Sequence, residues 1–253
     1  LPDIDFNIRS GNTLIGFANE NELDDALTLT VDGLFSKPQI ERQMTVVSDT
    51  FKRYKDIQLK GAPDYEEFKR IKDFLYSDLA NLNNTLNGFL HKKDYSNVKY
   101  EKWLETHKPF HWFAEFYEII NGKGGFDVII GNPPYVEYSK IRGTYILCGF
   151  ETGKCNNLYG YVVERSYNVL KKTGIVGMII PISAFSNSSM ESLQKYFYKF
   201  NLTYLSNFHQ RPAALFEGVL QRLSIFISYK EKNESGVYST NVLRWKSENR
   251  NLL

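Results

Sequence analysis

Apolar residues along this chain fall into two kinds of pattern. Between 36 and 60, Ile40, Met44, Val47, Phe51 and Tyr54 recur at steps of three and four. Between 64 and 90, Phe68, Ile71, Leu75, Leu79, Leu82, Leu86 and Phe89 do the same, and both stretches predict long amphipathic helices. Gly61-Ala62-Pro63 breaks the pattern between them, and Asp64 with Glu67 makes a capping-box-like start to the second, so an antiparallel helical hairpin is expected. Elsewhere the apolar runs are short and continuous, bounded by turn residues, and predict strands at 6–9, 126–130, 175–180, 202–208 and 223–229. Phe126, Val128, Ile129 and Ile130 read as a strand buried on both faces. Helical spacing returns at 109–121, 159–170 and 189–200; Lys171-Lys172-Thr173-Gly174 suits a helix C-terminus. Strand, helix and strand in that order make a βαβ unit, so the fold class is α/β with a mostly parallel sheet. Residues 137–160 are polar and glycine-bearing and read as an irregular, mobile loop.

Bulk properties narrow this picture only a little. The 253 residues suffice for a sizeable core, and 42% hydrophobic with 24% charged residues is ordinary for a globular protein. A formal charge of +2 lacks the basic excess of a dedicated nucleic-acid-binding surface. Cys148 and Cys155 stand in a polar stretch without a nearby histidine, which is neither a zinc spacing nor a disulfide framework, and points to a reducing cytoplasm. No apolar run approaches the roughly 20 residues that span a bilayer, so no membrane association is expected. Pro63-Asp64 with Glu67-Phe68-Lys69 resembles the acidic pair and lysine of a magnesium nuclease. The spacing is too short and falls on a helix start, so no metal site is expected. Leu1-Pro2 at the start and Asn-Leu-Leu at the end suggest a piece of a longer polypeptide.

The candidate chemistry sits where the strand at 126–130 stops, at Gly131-Asn132-Pro133-Pro134-Tyr135. Consecutive prolines cannot continue a central strand, and each restricts the residue before it, so Asn132 and Pro133 are held stiffly at a strand's carboxyl end, where open α/β sheets bind ligands. Neither proline has an N–H, so the backbone offers acceptors without competing donors, and Asn132 adds a side-chain carbonyl. An amino group with two hydrogens fits that pair. Accepting both hydrogens draws the nitrogen lone pair out of conjugation and makes an adenine or amide nitrogen a usable nucleophile. Tyr135 supplies a flat face for stacking, worth about 1–3 kcal/mol where the ligand is a base.

Asn132-Pro133-Pro134-Tyr135 behind a hydrophobic strand resembles the catalytic motif of S-adenosylmethionine-dependent amino methyltransferases, chiefly the DNA adenine-N6 enzymes. The Phe110-His111-Trp112-Phe113 lead-in before Gly125 to Val136 is similar to the large bacterial methylases of type IIG restriction-modification and phage-exclusion systems. The resemblance implies a Rossmann-like methyltransferase sheet, incomplete at its amino end, with the hairpin inserted. Residues 1–18 and 109–230 would form the catalytic core, 36–108 the helical insertion, and 231–253 the start of a following region, where such enzymes carry target recognition. It implies double-stranded DNA as partner, with a fused or associated nuclease. It also implies that Asn132, Pro133, Pro134 and Tyr135 carry the chemistry, that Phe216 packs on the flipped base opposite Tyr135, and that Asn12, Thr13, Leu14 and Gly131 contact S-adenosylmethionine. His111 reads as a packed structural histidine.

One departure stands out. The family's main cofactor motif, an acidic or Asn residue with Pro and a Gly-x-Gly turn, is absent, so the isolated chain is expected to bind cofactor poorly and turn over little. Two alternatives remain at this stage. Protein-glutamine methyltransferases share Asn-Pro-Pro-Tyr because an amide nitrogen poses the same problem, and a DNA-binding or assembly module could keep the fold without the chemistry.

Overall fold

The structure, a computed structural model, describes residues 6–28, 31–59, 65–216, 219–244 and 246. The expected break at Gly61 to Pro63, the Asp64 cap and the Pro63-Asp64 part of the rejected metal pattern lie outside the described residues, as do Glu217, Gly218 and Trp245, while Glu67, Phe68 and Lys69 lie in the helix that begins at Tyr65. Contacts divide the chain into two compact units, Leu1–Lys123 and Gly124–Leu253.

The first unit is helical. Helix α1 spans Glu20–Thr28, and its start is a reciprocal cap: Glu22 N–H donates to Asn19 Oδ1 at 3.1 Å while the Glu22 carboxylate accepts from Ala18 N–H at 2.8 Å. The hairpin is present as α2, Val31–Leu59, and α3, Tyr65–Asp94. It is antiparallel, since Thr50 bonds Asp78 at 3.1 Å and the rings of Tyr54 and Phe68 stack at 5.4 Å. The α3 stripe of Ile71, Leu75, Leu79, Leu82 and Leu86 is buried, as its spacing requires. Helix α4, Tyr100–His107, inserts the fully buried Trp103. The stretch expected as one helix over 109–121 divides into α5, Trp112–Glu115, and a π turn, Glu118–Gly122.

Residues 6–9 do not form the expected strand. Among the described residues no strand pairs with them; instead Phe6 is buried against the rings of Phe51, Tyr54 and Tyr76, and the Arg9 guanidinium lies over Phe6 and pairs with Glu115 at 3.1 Å.

The second unit is a five-stranded sheet in the order β1-β2-β4-β3-β5. Its strands are β1, Phe126–Gly131; β2, Leu170–Pro181; β3, Leu202–Phe208; β4, Leu223–Tyr229; and β5, Gly236–Leu243. β1 is parallel to β2 and β3 to β5, while β4 is antiparallel to both neighbours. Four strands therefore run one way and only β4 runs against them, a mostly parallel α/β sheet. Helix α6, Leu158–Val169, makes the crossover from β1 to β2. Helices α7, Ser183–Ser186, and α8, Glu191–Phe197, follow. Tyr159, Val163, Leu193 and Phe197 from these helices close over Val176, Met178, Ile180, Leu205 and Phe226 of the sheet in one buried cluster. Fully burying such a side chain contributes about 1.5–3 kcal/mol. β5, in the tail after residue 230, pairs with β3 and is exposed along its whole length.

Two expectations about β1 and β2 change. β1 is an edge strand and is not buried on both faces: Ile129 packs on the core, whereas Val128 is 55% and Ile130 83% exposed. Lys171 to Gly174 are not a helix terminus, because β2 begins at once at Leu170. The β1–β2 register slips there, and a Cβ on Gly174 would stand 2.8 Å from the Phe126 carbonyl oxygen and 2.7 Å from Leu170 Cγ. The glycine permits close approach of two strands at an irregular pairing.

Candidate functional site

β1 ends with Gly131 paired to Met178 of β2, and the Asn-Pro-Pro-Tyr segment begins there, at a strand carboxyl end as expected. Asn132 and Pro134 are exposed, Pro133 is buried and Tyr135 is half-buried. The Tyr135 hydroxyl lies 2.9 Å from Asn132 Oδ1 and also 2.9 Å from the Ile179 carbonyl oxygen. Burial raises the Tyr135 hydroxyl above its ordinary 10.0, so it keeps its hydrogen. Its ring meets Tyr159 edge-on, with centroids 6.4 Å apart.

Tyr135 and Tyr159 form one wall of a cavity of about 860 Å³. That is ample for a purine, within the size of ordinary ligand clefts. Pro181, Ile182 and Met190 add apolar surface, Asn157, Ser183 and Gln221 add polar groups, and Lys154 and Arg222 add positive charge. Asn132 itself is not among the lining residues; it joins the cavity through its contact with Tyr135. Burial pushes the Tyr159 hydroxyl up to about 12, which leaves it a neutral donor, to Met190 Sδ at 3.3 Å.

The loop after Tyr135, read from sequence as irregular and mobile, is tied down. Tyr138 N–H donates to the Asn156 carbonyl at 2.9 Å, Ser139 N–H to Asn156 Oδ1 at 2.9 Å, and Leu158 N–H to the Val136 carbonyl at 2.9 Å. Asn156 takes a left-handed conformation at φ 50°, which Asn tolerates better than most residues. A 3-10 turn, Glu151–Cys155, then docks on α6 through Glu164, only 3% exposed: its carboxylate accepts from Glu151 N–H at 3.0 Å, Thr152 N–H at 2.8 Å and Thr152 Oγ1 at 2.7 Å. A Cβ on Gly160 would come within 2.3 Å of Cys155 Sγ, so glycine there lets the turn close on α6 with Cys155 in its present place. Sequence reasoning missed Glu164, since a helical carboxylate reads as a solvated group.

Asn12, Thr13, Leu14, Gly131 and Phe216 are not among the residues that line this cavity. Asn12, Thr13 and Leu14 belong to the first unit. Asn12 Oδ1 accepts from Leu14 N–H at 3.2 Å in a tight turn, the Thr13 carbonyl accepts from Trp112 Nε1 at 2.9 Å, and Leu14 is buried. An amide oxygen has a second lone pair, so this bond does not exhaust the acceptor capacity of Asn12. No glycine-rich cradle for the methionine end of S-adenosylmethionine accompanies it among the described residues. Gly131 has room for a Cβ, its nearest neighbour being Met178 at 3.8 Å. Phe216 is 39% exposed and does not line the cavity. His111 is 1% exposed, accepts from Phe17 N–H at 3.1 Å through Nδ1 and meets Asn87 Oδ1 at 3.0 Å through Nε2, a structural histidine. Among the described residues no cluster of three His, Cys, Asp or Glu could hold a metal ion, and no helix is long and apolar enough to cross a membrane.

The family pattern described as "Eco57I restriction-modification methylase" matches residues 33–213. A protein of Methanocaldococcus jannaschii named "Putative type II restriction enzyme and methyltransferase RM.MjaORFECS2P" is 27% identical over 276 residues, covering 93% of this chain. The chain spans 23% of that relative's length. Among solved structures, a nuclease-deletion mutant of the Type ISP restriction-modification enzyme LlaGI in complex with a DNA substrate mimic aligns over 66% of this chain and 20% of its own, at 15% identity and a TM-score of 0.41. A "putative class i s-adenosylmethionine-dependent methyltransferase" from Listeria monocytogenes aligns over 48% of this chain and 36% of its own, at 20% identity and a TM-score of 0.33.

Proposed function

Because the chain belongs to the Eco57I restriction-modification methylase family, we propose that it carries the target-base chemistry of a DNA adenine-N6 methyltransferase within a restriction-modification or phage-defence polypeptide. The observation that supports this most directly is the Asn-Pro-Pro-Tyr segment at the carboxyl end of β1, joined through Tyr135 to a cavity large enough for a base.

An adenine stacked in a duplex cannot present its amino group to a protein carbonyl, so the base is flipped out at a cost of a few kcal/mol. The Tyr135 ring stacks on it, with Phe216 as the proposed second face. Asn132 Oδ1 and the Pro133 carbonyl accept the two N6 hydrogens and hold the nitrogen lone pair away from the ring system. That stabilises the geometry in which the nitrogen attacks. S-adenosylmethionine, when bound, would supply the electrophilic methyl group of its sulfonium, the sulfur keeping the bonding electron pair, and the attacking N6 would give up one proton to solvent. Asn12, Thr13, Leu14 and Gly131 are the proposed contacts to that cofactor.

The test is transfer of labelled methyl by the full-length polypeptide, wild type against Asn132→Ala, with mixed-sequence duplex DNA and cell protein both offered. Label on DNA adenine that falls by at least about 100-fold in the variant is expected, in line with loss of one preorganised electrostatic contact. Label on protein glutamine would assign the site to amide methylation instead, and no label on either substrate would leave the fold as a binding module.

A further inference from the structure

Two acceptors compete for one hydrogen beside Asn132. The Ile179 carbonyl has no hydrogen to give, and Asn132 Oδ1 has none either, yet each stands 2.9 Å from the Tyr135 hydroxyl. A hydroxyl can donate one hydrogen and accept others. Ile179 belongs to β2, a strand paired on both sides by β1 and β4, so its carbonyl is the fixed member of the three. Asn132 is exposed and its amide can turn. Half a turn of that amide exchanges two atoms of nearly equal size and satisfies every group: Nδ2–H donates to the tyrosine oxygen, and the tyrosine hydrogen goes to Ile179. Oδ1 then points away from Tyr135 with both lone pairs unused.

We propose that the Tyr135 hydroxyl is a positioning group, which relays the fixed β2 carbonyl to the Asn132 amide and selects the orientation in which Oδ1 is open to the substrate amino group. This rests on the methyl-transfer reading above and adds a second duty to Tyr135, distinct from ring stacking. Without the relay the amide would sample both orientations, and in one of them it would present its NH₂ to another NH₂. Ring stacking and the relay make different demands: the first needs only the aromatic face, the second only the oxygen. Burial of Tyr135 suits the relay, since the hydroxyl keeps its hydrogen well into the alkaline range.

Tyr135→Phe separates the two duties in the full-length polypeptide. The ring remains to stack, so KM for DNA should stay within about twofold, while kcat should fall about tenfold, the worth of one hydrogen bond lost at the reacting centre. An atomic-resolution crystal structure of the wild type, in which amide nitrogen and oxygen are told apart, should show Nδ2 toward Tyr135. Unchanged kcat, a raised KM with kcat intact, or Oδ1 facing Tyr135 in that structure would each overturn the relay. A wild type that labels no DNA adenine would remove the underlying methyl-transfer reading, a result visible before any variant is made.

Discussion

A carboxylate sunk to 3% exposure is stable only with donors around it, and Glu164 has two backbone amides and a hydroxyl, all from the turn that carries Lys154, Cys155 and Asn156 into the cavity wall. Hydrogen bonds to a charged acceptor contribute more than neutral ones, and leaving buried amides without an acceptor costs about 1–3 kcal/mol. Glu164→Ala should therefore loosen the turn before it unfolds the protein. Hydrogen exchange at the Glu151 and Thr152 amides is the measurement: both should exchange at least about tenfold faster in the alanine variant, a local opening of about 1.4 kcal/mol. Glu164→Gln, which keeps one carbonyl acceptor, should lie between. Exchange unchanged in Glu164→Ala would mean that the turn holds by its own 3-10 geometry and that Glu164 is an ornament to it. Nothing near Glu164 in sequence announces this role, because its partners lie twelve and thirteen residues back and approach only when Gly160 lets the turn close.

The elements differ in what could be read ahead of the structure, and the reasons are local. α3 was legible because its apolar residues are spaced for one helical face and that face is buried along its length. β1 and its stop before the two prolines were legible because an apolar run followed by two prolines has few other conformations. What an apolar run cannot state is whether both of its faces are covered, since the cover comes from elsewhere in space; Ile129 faces the core and Ile130 does not. α1 was missed although Asn19 and Glu22 spell its cap, because the residues after them lack a clear apolar stripe. Lys171 to Gly174 misled for a different reason: basic residues before a glycine suit a helix end, but the same glycine serves a strand contact. Gly174→Ala tests that contact. The added methyl must displace Leu170 or the Phe126 carbonyl, and overpacking of this kind costs about 1–3 kcal/mol. The expected outcome is a lower urea midpoint with an unchanged m-value, together with faster exchange of the β1 amides. A midpoint equal to wild type would show that the β1–β2 irregularity has slack, and would return Gly174 to the status of an ordinary turn residue.

At the scale of the whole chain, charge decides less than its placement. A net +2 spread over 253 residues provides no general attraction to a polyanion. Yet Lys154 and Arg222 line the cavity beside Tyr135, and the third lining cation, Lys140, is ion-paired with Glu137 at 3.1 Å. On the proposed methyl-transfer reading, these two exposed cations would meet the phosphates flanking a flipped nucleotide, whereas the many charges of α2 and α3 are spread over helix surface, the usual lot of solvated residues. Each phosphate neutralised adds about 0.9 to the slope of log affinity against log salt. Lys154→Ala and Arg222→Ala, in the full-length polypeptide, should each reduce that slope by about one and weaken binding to all DNA sequences alike. Lys69→Ala, on the exposed surface of α3, should leave the slope as it is. A slope that falls with Lys69→Ala and not with the two cavity variants would move the DNA backbone contact onto the helical hairpin. It would also leave the cavity cations without a part in DNA binding.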